Sequence, residues 1–141
     1  PPMPADHAYS AWRDRLVNEL SKLDDGVIAV GHSFGASIWL KYLSEETPTV
    51  KIIGIMTIAS PYWGAEDWEV EDYQLREGFA TRLPDVPTYI YHCRDDEEVP
   101  FTHAEIYAQH IPTAKLRAVH TGGHQMNDDL RLVAEDILTL Q

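Results

Sequence analysis

The chain has 141 residues, 44% of them hydrophobic, with four Trp and seven Tyr; this supports one globular core and excludes a disordered chain. A formal net charge of −12 repels phosphate backbones and anionic lipid, which sets nucleic acid and membrane aside as partners. The single cysteine, Cys93, excludes an internal disulfide, no apolar run approaches membrane-spanning length and no signal peptide opens the chain, so a cytoplasmic protein is expected.

Pro1-Pro2-Met3-Pro4 reads as an extended lead-in, since proline fits neither helix interior nor central strand. Asp6 is positioned to cap a helix over about residues 7–23, with Trp12, Leu16, Leu20 and Leu23 on one apolar face and Gly26 as its stop. Val27-Ile28-Ala29-Val30 has no polar alternation, which predicts a strand buried on both faces, as in a parallel sheet. Gly31-His32-Ser33-Phe34-Gly35 follows it, and a helical stretch over 36–43 comes next. Strand, G-x-S-x-G, helix is the context that holds a serine hydroxyl clear of a sheet at a helix N-terminus. At both glycines a side chain is expected to collide with neighbouring backbone. His32 is read as a packing residue, and Trp39 as core behind the turn.

Residues 51–58, with Ile52, Ile53, Ile55, Met56 and Ile58, predict a second buried strand, ended by Ala59-Ser60-Pro61. From Tyr62 to Pro84 aromatics mix with acids without a period. This predicts a short cap or connecting segment over the sheet, mobile and functional or else a packed surface loop. Residues 88–92 predict a third strand, 101–110 a helix and 115–120 a fourth strand. The last helix is expected to start at Asn127 or Asp128 with Leu130, Val133, Ala134, Ile137 and Leu140 inward. Strand alternating with helix predicts an α/β fold with a mostly parallel sheet of about four strands and flanking helices. In such sheets ligands bind at the carboxyl ends of strands. Ser33, the Asp95/Asp96 loop and His124 each follow a strand.

A serine hydroxyl needs a base to take its proton and an acid to fix that base's tautomer. The chain order Ser33, Asp, His124 is that of the α/β-hydrolase fold. Gly31-His32-Ser33-Phe34-Gly35 matches its nucleophile elbow, Asp96-Glu97-Glu98-Val99-Pro100 resembles its D-x-x-V-P acid loop, and Gly122-Gly123-His124 resembles its histidine loop. The sequence resembles the small single-domain serine hydrolases of that superfamily over almost its whole length, as one domain over 1–141 with a truncated α/β-hydrolase fold. The resemblance implies Ser33 as nucleophile, His124 as base, Asp96 as acid with Asp95 as runner-up, and the N–H of Phe34 in the oxyanion hole. It implies a carboxylesterase acting on small or medium acyl esters, with no cofactor. Tyr62, Trp63 and Trp68 are candidates to line the substrate pocket. Asp95, Glu97 and Glu98 are otherwise expected to be solvated loop charges. His7, His103, His110 and His120 are expected to be surface or structural. His92, Cys93, Asp95 and Asp96 lack a zinc spacing, so no metal is expected, and Cys93 is read as a core thiol.

The family's opening strand, its His-Gly-type loop with the second oxyanion donor, and the following helix and strand have no counterpart here. A fragment, a subunit completed by an N-terminal polypeptide, or a minimal form would each account for that. The strand at 27–30 then lacks a neighbour, which predicts self-association through its edge or a complementing chain. The alternative to an esterase is accordingly a catalytically poor interaction module.

Overall fold

The computed structural model describes residues 7–141. The expected lead-in at Pro1 to Pro4 and the Asp6 cap lie outside the described residues. The elements are α1 (Tyr9–Leu20), β1 (Val27–His32), α2 (Phe34–Glu45), β2 (Ile52–Ile58), β3 (Thr88–Cys93), α3 (Thr102–His110), β4 (Lys115–Val119) and α4 (Arg131–Leu138). The four strands form one sheet in chain order, β1-β2-β3-β4, and every pair is parallel.

Two apolar layers flank the sheet. Leu16, Leu20, Ile38, Leu40, Leu43 and Tyr107 bring α1, α2 and α3 against Ala29, Ile55 and Ile90 on one face. On the other, Met56, Ile58, Tyr89, Tyr91 and Cys93 meet Val133 of α4, with Leu140 beyond it. Gly54 leaves room for Leu140 against β2, since a Cβ there would stand 2.5 Å from Leu140 Cδ1 and the leucine tip would have to move. One helix does not reach across four strands, so β1 is an exposed edge. Val30 is 40% exposed and Leu23, expected inward, is 51% exposed. The prediction of a strand buried on both faces therefore fails at Val30: it points to the face that α4 leaves bare.

The last helix is also rotated from expectation. Val133 is buried and Ile137 and Leu140 are partly buried, but Leu130 and Ala134 face solvent. Asp136 turns inward instead, accepting from Tyr91 Oη at 2.8 Å and pairing with both ends of the Arg117 fork. Asn127 and Asp128 do not cap α4. They stand in left-handed turn conformation, and Asp129 Oδ1 accepts the Arg131 N–H at 3.1 Å. At the other end of the chain, Asp72 Oδ2 accepts the Tyr9 N–H at 2.7 Å and so satisfies an N-terminal donor of α1 from 63 residues away.

Residues 62–84 contain two short 3-10 turns, Glu71–Tyr73 and Phe79–Arg82. They are stitched to α2 and α1: Trp63 Nε1 donates to Ser37 Oγ at 2.9 Å, Lys41 Nζ to the Gln74 carbonyl at 2.8 Å, and Tyr73 Oη to the His7 carbonyl at 2.7 Å. Among the described residues no helix is long and apolar enough to cross a membrane.

Candidate active site

The turn from β1 into α2 holds Ser33 at φ 54°, ψ −127°, a conformation disfavoured for a residue with a Cβ and sustained here by its surroundings. The Ser33 N–H donates to the Ile58 carbonyl at 2.7 Å, which fixes the turn to β2, and the Ser33 carbonyl accepts from Ala36 N at 3.0 Å. Gly31 is required by contact: a Cβ would lie 2.6 Å from Ala36 Cα and 2.7 Å from Ala36 N. Gly35 differs from expectation, with nothing within 4 Å of a Cβ built there. Its missing side chain faces a cavity of about 230 Å³ lined by Trp12, Val30, His32 and Trp39, so the clash argument applies to Gly31 alone. Trp39, expected in the core, is partly exposed there.

Ser33, His124 and Asp96 form one hydrogen-bonded line. His124 Nε2 stands 2.8 Å from Ser33 Oγ, and its Nδ1 stands 2.9 Å from Asp96 Oδ2. With Nδ1–H donating to the carboxylate, Nε2 is left to accept the serine proton. The imidazole is almost wholly enclosed and the Asp96 side chain has no exposed surface. Asp96 Oδ1 accepts the backbone N–H groups of Glu98 at 2.9 Å and Val99 at 2.8 Å, an Asx turn that aims the carboxylate. A fully buried second histidine, His92, lies against the same acid, with Nε2 3.2 Å from Asp96 Oδ2 and donating to the Val99 carbonyl at 2.8 Å. Burial lowers its pKa and keeps it neutral. Among the described residues its Nδ1 has no hydrogen-bond partner.

The acidic loop is not merely solvated, as Asp95, Glu97 and Glu98 were expected to be. Asp95 accepts the N–H groups of Gly122 at 3.2 Å and Gly123 at 2.9 Å, and Glu97 Oε2 accepts the His124 N–H at 3.2 Å. Three consecutive acids thus grip three consecutive residues of the histidine loop. The Gly123 and Gly122 hydrogen bonds hold the Asp95 carboxyl below its ordinary range. Glu98 Oε2 lies 3.3 Å from His124 Nε2. His32 Nε2–H donates to the His124 carbonyl at 2.9 Å, so this residue pins the histidine loop as well as packing. None of these contacts has a local signal, because each joins loops far apart in the chain.

Phe34 follows Ser33 and supplies one of the N-terminal N–H groups of α2, which have no partner within the helix. Its ring packs edge-on against Trp12, Tyr73 and Trp63 at centroid distances of 5.5, 4.7 and 6.2 Å. Trp63 and Trp68 stand together, 5.4 Å between ring centroids, at this end of α2. Tyr62 turns away toward α3, stacked on His110 and packed on Tyr107, while its N–H donates to His103 Nδ1 at 2.8 Å. A second cavity of about 290 Å³, lined by His32, Ile58, Gln125, Asp128 and Leu130, opens beside the histidine loop. Among the described residues no group of three or more His, Cys, Asp or Glu is placed to hold a metal ion.

A family model described as serine hydrolase matches residues 4–130. Solved structures agree in fold. The YdeN product of B. subtilis is 22% identical with a TM-score of 0.77, covering 99% of this chain and 78% of that one. A YdeN-like hydrolase of Pectobacterium atrosepticum is 26% identical with a TM-score of 0.72, covering 96% and 71%. An esterase of Exiguobacterium antarcticum is 17% identical with a TM-score of 0.68, covering 96% and 75%. No curated protein matches. With its elbow, its parallel sheet and this match across most of its length, the chain belongs to the serine hydrolase family.

Proposed function

We propose that this protein is a carboxylic ester hydrolase working through an acyl-enzyme on Ser33. The observation that carries the proposal is the unbroken line Ser33 Oγ, His124 Nε2, His124 Nδ1, Asp96 Oδ2, at 2.8 and 2.9 Å. His124 takes the Ser33 proton as Oγ attacks the ester carbonyl, and Asp96 stabilises the imidazolium that forms. The N–H of Phe34 meets the developing oxyanion at the positive end of α2. The imidazolium gives its proton to the leaving alcohol, then activates water to release the acid. Trp63, packed on Phe34, and its neighbour Trp68 are the candidates to shape an apolar acyl or alcohol pocket. The single cysteine suits a cytoplasmic setting.

A fluorophosphonate probe tests this. A single adduct on Ser33 that is lost in Ser33→Ala, together with ester turnover, is the expected result. An adduct elsewhere, or turnover unchanged in Ser33→Ala, refutes it. A second function, that of a catalytically poor module completed by another polypeptide, is favoured by the open β1 edge. There Leu16, Leu20, Leu23, Val27, Ile28 and Val30 line an apolar groove of about 240 Å³. That case predicts labelling of Ser33 without appreciable turnover.

A further inference from the structure

Glu98 occupies an unusual place relative to the reacting groups. Its backbone is fixed by the Asp96 turn, and its side chain, 63% exposed, returns to set Oε2 3.3 Å from His124 Nε2. That nitrogen is the one that faces Ser33 Oγ. In the resting state Nε2 carries a lone pair aimed at the serine hydroxyl and has no proton to offer the carboxylate. The charge of Glu98, whose side chain is the exposed partner of the pair, is therefore free to act on whatever else comes beside Nε2.

Acyl transfer defines what that is. As Ser33 Oγ bonds to the carbonyl carbon, its proton passes to Nε2. When the carbon–oxygen bond to the alcohol breaks, the same proton passes to the leaving oxygen. The leaving oxygen must then sit within about 3 Å of Nε2, hence within about 6 Å of the Glu98 carboxylate. The whole chain carries −12, and Asp128 lines the 290 Å³ cavity next to His32, so long-range charge adds to that of Glu98 in attracting a cation. We propose that Glu98 selects the leaving group, favouring esters whose alcohol carries a positive charge, such as aminoalkyl or quaternary ammonium alcohols, over neutral and anionic ones. The proposal rests on the hydrolase function given above.

Two methylphosphonothiolates test it, one with a thiocholine leaving group and one with its neutral 3,3-dimethylbutanethiol isostere. Each forms a Ser33 Oγ–phosphorus bond and expels the thiol, so the rate of Ser33 modification reads the leaving-group side without needing turnover. Rates are normalised to reaction of each reagent with hydroxide. The wild type is expected to favour the cationic reagent by about three- to tenfold, an advantage that shrinks in 0.5 M NaCl. The preference should fall sharply toward unity in Glu98→Gln and reverse in Glu98→Lys. An equal ratio in wild type and Glu98→Gln, or a wild-type ratio insensitive to salt, overturns the role of Glu98 and leaves the hydrolase function standing. Failure of both reagents to modify Ser33 in the wild type overturns the hydrolase function and this proposal with it.

Discussion

The two glycines of the elbow should respond to the same substitution with opposite sign. In Gly31→Ala the new methyl meets backbone, Ala36 Cα at 2.6 Å, Ala36 N at 2.7 Å and Gly35 C at 3.0 Å, so nothing soft can yield. The turn itself must open by several tenths of an ångström. Overpacking of this kind destabilises by about 1–3 kcal/mol. Because the moved atoms carry Ser33, the shift should also slow its chemistry, toward the about hundredfold loss that a 1 Å misplacement costs. In Gly35→Ala the methyl enters open space on the first turn of α2, and alanine is the better helix former by about 1 kcal/mol. The two variants should differ by about 2–4 kcal/mol. Urea unfolding followed by the fluorescence of the four Trp gives the two midpoints, and fluorophosphonate labelling gives the state of Ser33. Equal destabilisation by the two substitutions would show that the elbow is crowded at both glycines and would refute the reasoning.

Asp96→Asn should lower kcat by about 10³–10⁴-fold by favouring the wrong tautomer of His124, whereas Asp95→Asn, which keeps an acceptor for the glycine N–H groups, should lower it by less than about tenfold; the reverse ranking transfers the acid role to Asp95. His103 and His92 both have pKa values lowered by burial from 6.5, so the unfolded chain takes up protons that the native state refuses, and stability should be full above pH 6.5 and fall below it. His103→Asn, which keeps an acceptor for the Tyr62 N–H, should flatten the fall in urea midpoint between pH 7.5 and 5.5; an unchanged slope rules out His103 as a contributor. The β1 edge should drive association that grows with concentration, and Val30→Lys should reduce it on size exclusion with light scattering; a wild-type monomer at all concentrations refutes this. Trp63→Ala should alter preference among acyl lengths in ester turnover; a lowered melting point with unchanged preference would make Trp63 a packing residue only.

The elbow was legible because its context is local: an apolar strand, a G-x-S-x-G turn and a helix all lie within twenty residues. Parallel order followed from alternation of strand and helix. What stayed hidden depends on neighbours from elsewhere in the chain. Nothing in Val27-Ile28-Ala29-Val30 says that α4 will not reach it, so its apolar run reads as buried on both sides while Val30 is open. Asp136 looks like the outer face of an amphipathic helix until Tyr91 and Arg117 arrive from β3 and β4. The acids beside Asp96 read as solvated because their partners are backbone N–H groups about 27 residues away, which carry no sequence signature. Gly35 misled by symmetry with Gly31, since a motif does not say which of its glycines is crowded.

Ser33 and His124 are anchored to opposite margins of the sheet, one at the end of β1 and the other just after β4. Three strand spacings, about 14 Å, separate those margins, and the five residues from His120 to His124 reach about 17 Å at full stretch. The connection is not taut but bends at Gly122 and Gly123, and it is held in place by the acids after β3. Reactivity of Ser33 is therefore a gauge of the whole sheet rather than of the elbow. Loosening of β4, whose residues are largely exposed, together with the acidic loop after β3 that grips Gly122, Gly123 and His124, frees the imidazole while β1 and α2 remain intact. On heating, phosphonate labelling should disappear before tryptophan fluorescence changes. On refolding it should return last, because the contact between the two side chains spans 91 residues of chain and closes after the local strand pairs have formed.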